Sequence, residues 1–193
     1  MNYLILVNRN NLLDRTYIPN DLVNGDSIYK DNILVSKQVK RVFHIMQEDA
    51  RLNGYNIDIM SGYRSYDYQD KIYNKLIHDK GFNYAFRHIA PPGGSEHQTG
   101  LAIDICVYRD DRCYIEHEIV DFEEIKWVLN NCYKYGFILR YPLNKEDVTG
   151  YNYEAWHFRY VGKLAPYLYF NNLTLEEYYQ KITLEEYYQK TCK

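Results

Sequence analysis

Residues 101–108 constrain this chain more than any other stretch. They alternate as a strand does, yet carry one residue that no plain core accepts. Leu101, Ile103, Ile105 and Val107 fall on one face, and Ala102, Asp104 and Cys106 on the other. The first face can bury against helices. The second is small except for a carboxylate, which leaves space beside Asp104. A buried carboxylate must be paired or coordinate a metal. His97 lies just before the strand on a glycine-flanked loop, from which it can bend back toward that face. Taken alone, the segment is also compatible with a hydrogen-bonded Asp–His pair.

A second segment, Tyr153-Glu154-Ala155-Trp156-His157-Phe158, supplies what such a site lacks. Trp156, Phe158 and Tyr160 alternate with His157 and Arg159, so His157 begins a strand facing away from the large aromatics. On a regular strand Glu154 and His157 would face opposite ways, so a bend between them is required if they cooperate. Two histidines and one carboxylate make the three-ligand set of a catalytic zinc, leaving one open position. Zinc can acidify a water there to a pKa near ~7. A second carboxylate, not bound to metal, would take the water's proton. A third segment, Ser61-Gly62-Tyr63-Arg64-Ser65, places an arginine at a strand end. Its planar fork suits a developing oxyanion or a substrate carboxylate.

The rest of the chain frames these residues. Val39, Val42, Phe43 and Met46 show helical spacing within 33–53, and a turn follows at Asn53-Gly54-Tyr55. A strand through Ile57 and Ile59 leads into the arginine loop, and a second helix is expected over 66–80. Residues 81–94, ending Pro91-Pro92-Gly93-Gly94, read as a long irregular loop of the kind that covers a site. A helix over 121–135 ends at Gly136, and two aromatic-rich strands follow at 137–141 and 156–161. The amino-terminal apolar run, Met1 to Val7, reads as an edge or surface strand. Strands and helices without regular alternation predict an α+β domain, with a central antiparallel sheet flanked by helices and the metal site at the sheet face.

A length of 193 residues fits one domain, 1–193, and no Pro/Gly/Ser-rich linker divides it. Net charge is −3 with both signs interspersed, which argues against nucleic-acid or anionic-membrane partners. No apolar run approaches the ~20 residues of a membrane span, and no secretory signal is legible. The expectation is a cytoplasmic monomer with reduced cysteines, Cys106 and Cys132 among them buried. His44, His78, His88 and His117 lack ligand spacing and are expected in ordinary roles. The tail, 173–193, duplicates Thr-Leu-Glu-Glu-Tyr-Tyr-Gln-Lys at a nine-residue period, each copy opening with a Thr-x-x-Glu capping pattern. Nine steps of ~100° turn the second copy to the opposite helix face, so the two cannot repeat the same contacts.

SGYRS, SEHQTGLAID and EAWH together resemble the M15 zinc D,D-peptidases, the VanY and VanX group. The stretch from Tyr135-Gly-Phe-Ile-Leu-Arg-Tyr-Pro through Glu154-Ala-Trp-His-Phe-Arg-Tyr-Val-Gly is similar to the bifunctional VanXY enzymes. The resemblance implies one zinc ion on His97, Asp104 and His157, with Glu154 as base and Arg64 stabilising the transition state. It also implies that Ser95 binds the substrate's terminal carboxylate, that Gln69 lines the pocket, and that Trp156 walls the metal. The implied reaction hydrolyses D-alanyl-D-alanine, or removes the last D-alanine of peptidoglycan precursors, as in vancomycin resistance. The rivals are a related peptidoglycan peptidase (an L,D-carboxypeptidase or endolysin) and a non-catalytic zinc-stabilised binding module. Two features depart from the group: Ser61 stands where some VanXY enzymes carry aspartate, and the duplicated tail has no counterpart.

Overall fold

The computed structural model describes residues 2–191, and for residues 185–191 the backbone alone. Its elements run β1 (Leu22–Asn24), β2 (Leu34–Ser36), α1 (Lys37–Leu52), β3 (Ile57–Ser61), α2 (Tyr66–Lys80), α3 (Phe82–His88), β4 (Ala102–Arg109), β5 (Arg112–Tyr114), α4 (Glu123–Asn131), β6 (Phe137–Leu139), α5 (Glu146–Thr149), β7 (His157–Tyr160), α6 (Ala165–Phe170) and α7 (Leu175–Thr191). The architecture is α+β. An antiparallel sheet in the order β3-β4-β7-β6 forms its centre, with β5 paired to the end of β4.

The alternation in β4 does what its sequence dictates. Ile103, Ile105 and Val107 are fully buried in the main core with Val39, Val42, Phe43, Met46 and Ala50 of α1 and with Ile125 and Val128 of α4. Their burial contributes roughly 1.5–3 kcal/mol per large side chain. Asp110 and Asp111, both at positive φ, make the two-residue turn into β5. α1 stops where Asn53-Gly54 turns the chain, and α2 starts on Ser65, whose Oγ accepts the Tyr68 N–H at 3.2 Å. Cys106 and Cys132 are buried free thiols, as expected; Cys192 lies outside the described residues.

Two expectations are corrected. Residues 2–7 form no strand. The Tyr3 and Ile5 carbonyls accept instead from Arg159 Nη2, at 3.1 and 2.8 Å, and the Leu4 carbonyl accepts from the Tyr179 hydroxyl. Side chains, not a neighbouring strand, satisfy this backbone. Nor is 81–94 irregular throughout. Gly81, at φ +84°, breaks α2, and the chain re-enters a helix, α3, before the proline loop. Only Ala85 of α3 is buried, so no apolar periodicity announced it.

Residues Leu175–Thr191 of the tail form one continuous helix, α7. Thr174 and Glu177 close a capping box at its start: the Glu177 N–H donates to Thr174 Oγ1 at 3.2 Å and the Thr174 N–H to Glu177 Oε2 at 2.8 Å. The second Thr-x-x-Glu caps nothing, because Thr183 lies mid-helix and its hydroxyl donates back to the Tyr179 carbonyl at 2.9 Å. Leu175 is fully buried while Leu184, nine residues on, is 56% exposed, as the half-turn rotation requires. The side chains of the rest of the second copy lie outside those described. Truncation after Lys181 keeps the capping box and Leu175. It is expected to leave turnover within about twofold and to cost at most ~1 kcal/mol in a denaturant titration. A large loss of turnover would show that the second copy reaches the site or an obligatory oligomer.

Candidate metal centre

Strand register builds the centre. Asp104 of β4 lies directly opposite His157 of β7, and Ser61, just past an irregularity in β3, lies opposite Asp104 on the other side. All these side chains emerge on the sheet face away from the main core. His157 Nδ1 is 2.9 Å from Asp104 Oδ1, and His97 Nε2 is 3.1 Å from Asp104 Oδ2. One ligand atom from each residue lies within 4.8 Å of the others, and all three residues are buried.

His97 arrives on a short 3-10 helix, Glu96–Thr99, that ends at Gly100 in the left-handed conformation. Its Nδ1 lies 2.7 Å from the Gly62 carbonyl, which commits that nitrogen as the donor and leaves Nε2 for the centre. Position 62 has no room for a side chain: a Cβ would come within 2.3 Å of the Leu34 carbonyl oxygen.

The bend needed between Glu154 and His157 is present. The His157 N–H donates to the Glu154 carbonyl at 3.2 Å, and the Glu154 N–H to the Tyr141 carbonyl at 3.1 Å. This turn brings Glu154 Oε2 to 3.9 Å from His157 Nδ1. Burial, reinforced by the negative charges of Asp104 and Glu116 and opposed by His157 and Arg64, pushes the Glu154 carboxyl up to about 7. That suits a group that must take and return a proton near neutrality.

Arg64 sits beside the same carboxylate, with Nη2 3.9 Å from Asp104 Oδ2. Its fork is fixed from behind: Nη1 donates to Gln69 Oε1 at 3.0 Å and Nη2 to Ser61 Oγ at 3.3 Å. Gln69 is buried and donates in turn to the Ala90 carbonyl at 2.7 Å, tying the arginine to the proline loop. Ser95 is buried at the start of the 3-10 helix that carries His97. Trp156 sits in the turn between Glu154 and His157, its ring edge-on to exposed His117 at 4.9 Å. Tyr141 stacks on the His157 ring at 4.9 Å. His44, His78 and His88 stand in no metal-ligating group among the described residues.

A buried ionic cluster behind His157 escaped the sequence reading. Glu96 Oε1 accepts from Arg140 Nε at 2.8 Å and from Arg159 Nη1 at 2.7 Å. Arg140 forks onto Glu176 of α7, at 2.9 and 2.6 Å. Burial would favour a neutral Glu96, but the two guanidiniums hold its carboxyl far below the usual range. The available signal was a charge inside an aromatic and aliphatic strand, at Arg140 after Phe-Ile-Leu and at Arg159 between Phe158 and Tyr160.

The donor set fits a zinc ion: two imidazoles and one carboxylate, buried and convergent, with Glu154 and Arg64 beside them. Asp104 is held well below the usual carboxylate range against burial by His97 and His157, so it stands ready as an anionic ligand. Two buried atoms, His157 Nε2 and Glu96 Oε2, have no hydrogen-bond partner.

A family model described as VanY, D-alanyl-D-alanine carboxypeptidase, matches residues 32–163. The chain is 43% identical over 182 residues to the putative carboxypeptidase YodJ of Bacillus subtilis (strain 168), covering 91% of this chain and 66% of that protein. The chain thus spans slightly less than two thirds of that relative. Among solved structures it is similar to the LdcB LD-carboxypeptidase, with TM-score 0.87 and 44% identity over 93% of this chain and 86% of that one. It is also similar to the vancomycin resistance D,D-dipeptidase VanXYg in complex with a D-Ala-D-Ala phosphinate analog (TM-score 0.82, 36% identity, 93% and 71% covered). A third is a mutant of the vancomycin resistance D,D-pentapeptidase VanY, from the VanB-type cassette, in complex with Zn(II) (TM-score 0.76, 32% identity, 92% and 99% covered). No helix among the described residues is long and apolar enough to cross a membrane.

Proposed function

Because this chain belongs to the VanY family of D-alanyl-D-alanine carboxypeptidases, we propose that it is a zinc-dependent D,D-peptidase. It hydrolyses the last peptide bond of D-alanyl-D-alanine and of peptidoglycan precursors ending in it. The observation that carries this reading is the convergence of His97, Asp104 and His157 with Glu154 3.9 Å from His157. A structural zinc site needs ligands only; a carboxylate beside the ligand set with its pKa raised toward neutrality is what hydrolysis adds.

His97, Asp104 and His157 would hold the metal. A zinc ion there supplies Lewis acidity toward the scissile carbonyl and toward water. Glu154 takes a proton from the attacking water as its oxygen bonds to the carbonyl carbon. Arg64 donates to the oxygen on which negative charge develops, and its fork is already aimed by Gln69 and Ser61. Glu154 then returns the proton to the leaving nitrogen as the C–N bond breaks, releasing D-alanine with a free amine. Ser95 receives the substrate's terminal carboxylate, and Trp156 closes one wall.

The likeness to LdcB favours a second reading within the same chemistry, cleavage of an L,D bond before a terminal D-alanine. One assay separates them. D-Ala-D-Ala, a pentapeptide ending in it, and a tetrapeptide ending in an L-residue followed by D-alanine are incubated with the protein, and products are resolved by HPLC. The expected result is D-alanine from the first two, abolished by chelator and restored by zinc. Release from the tetrapeptide alone would replace the D,D reading with the L,D one. No release from any would leave the binding-module reading.

A further inference from the structure

The buried cluster behind His157 has one oxygen, Glu96 Oε2, turned toward the metal centre. Both Glu96 and Arg140 side chains are wholly buried, as is Arg159. The three nitrogens of the Arg140 guanidinium donate to Glu96 and Glu176, and those of Arg159 donate to Glu96 and to the Tyr3, Ile5 and Tyr160 carbonyls. Glu176 also accepts from Asn8 Nδ2 at 3.0 Å. Two carboxylates against two guanidiniums balance without help from His157. Yet Glu96 spends only Oε1 on this balance. Its Oε2 has no partner and faces His157 Nε2, also without a partner, at 3.9 Å.

We propose that Glu96 is the outer positioning partner of His157, and that the first turn of α7 holds it in place through Glu176 and Arg140. The proposal rests on the reading of His97, Asp104 and His157 as a zinc site. An imidazole that ligates through one nitrogen carries its proton on the other, and the acceptor of that proton fixes ring orientation and tautomer. His97 uses the Gly62 carbonyl for this purpose. His157 turns Nδ1 to the ligand cluster, so Nε2 must hold the proton, and Glu96 Oε2 is the carboxylate that faces it. The separation exceeds a hydrogen bond by about 1 Å, which a small rotation of ring or carboxylate closes. A cluster serving packing alone would have no reason to leave one carboxylate oxygen open toward a ligand's back nitrogen. The first copy of the tail repeat thereby acquires a task. Glu176 locks the arginine that aims Glu96.

Zinc affinity is measured by competition with a chromophoric chelator, alongside the melting temperature of the metal-free protein. Glu96→Gln is expected to weaken zinc by about 10–100-fold, and Glu176→Gln in the same direction by less. Nitrogen-15 spectra of the zinc-loaded wild-type protein are expected to show His157 protonated at Nε2, with that proton protected from exchange. A folded Glu96→Gln variant that binds zinc as the wild type does would overturn the proposal, as would a His157 unprotonated at Nε2. If Glu96→Gln does not fold, the wild-type spectrum decides. Neither readout involves a peptide, so failure to cleave D-Ala-D-Ala leaves the proposal standing, whereas a wild-type protein that binds no zinc sinks the metal reading itself.

Discussion

Replacing Glu154 by alanine is expected to lower kcat/KM on a D-Ala-D-Ala-terminated peptide by at least ~100-fold while zinc remains bound, as removal of a general base does. Geometry supports the separation of the two effects. Glu154 lies 3.9 Å from His157 Nδ1, outside the group of three whose ligand atoms converge. Its backbone, held by Tyr141 and by the His157 N–H, does not depend on the carboxylate, so the truncation leaves the turn that presents His157 intact. Glu154→Gln should behave alike, because the amide keeps the shape and cannot accept the proton. The measurement pairs steady-state kinetics with metal content after gel filtration. A variant that emerges without zinc would make Glu154 a ligand, and the assignment of roles at the centre would have to be redrawn.

What the sequence made legible follows from which physical rules act locally. The β4 alternation identified both faces of the strand, and the segments carrying His97 and His157 could be placed because His97 lies shortly before β4 and His157 opens β7. The bend before His157 was legible as a requirement, since Glu154 and His157 could cooperate in no other way. The ionic cluster was not. Glu96 meets Arg140 and Arg159 across separations of 44 and 63 residues, and Arg140 meets Glu176 across 36, distances no periodicity spans. The same holds for residues 2–7, where the Tyr3, Leu4 and Ile5 carbonyls are satisfied by Arg159 and Tyr179 rather than by a strand. An apolar run followed by a polar turn has the pattern of a strand whichever partner answers its backbone. In α3 the aromatic residues Phe82, Tyr84 and Phe86 are all exposed, so the helix lacks the buried stripe by which helices are recognised.

Arg64→Ala is expected to reduce kcat by about 10²–10³-fold, the loss seen when one donor to a developing oxyanion is removed, with zinc affinity nearly unchanged. The guanidinium stands 3.9 Å from Asp104 Oδ2, too far for a hydrogen bond to the ligand, so it contributes little to holding the metal. What it offers is a donor fork aimed before substrate arrives, with Gln69 and Ser61 behind it and Ala90 behind Gln69. Preorganisation of that kind is worth most where charge appears only in the transition state, which places the loss in kcat rather than KM. Arg64→Lys should recover little, because an ammonium cannot make the two backing contacts with Gln69 and Ser61 in the geometry of a planar fork. Gln69→Ala, which frees the fork without removing its charge, should fall between wild type and Arg64→Ala. If Arg64→Ala instead raises KM and spares kcat, the guanidinium binds the substrate's carboxylate in the ground state. The oxyanion would then have to be stabilised by the metal alone.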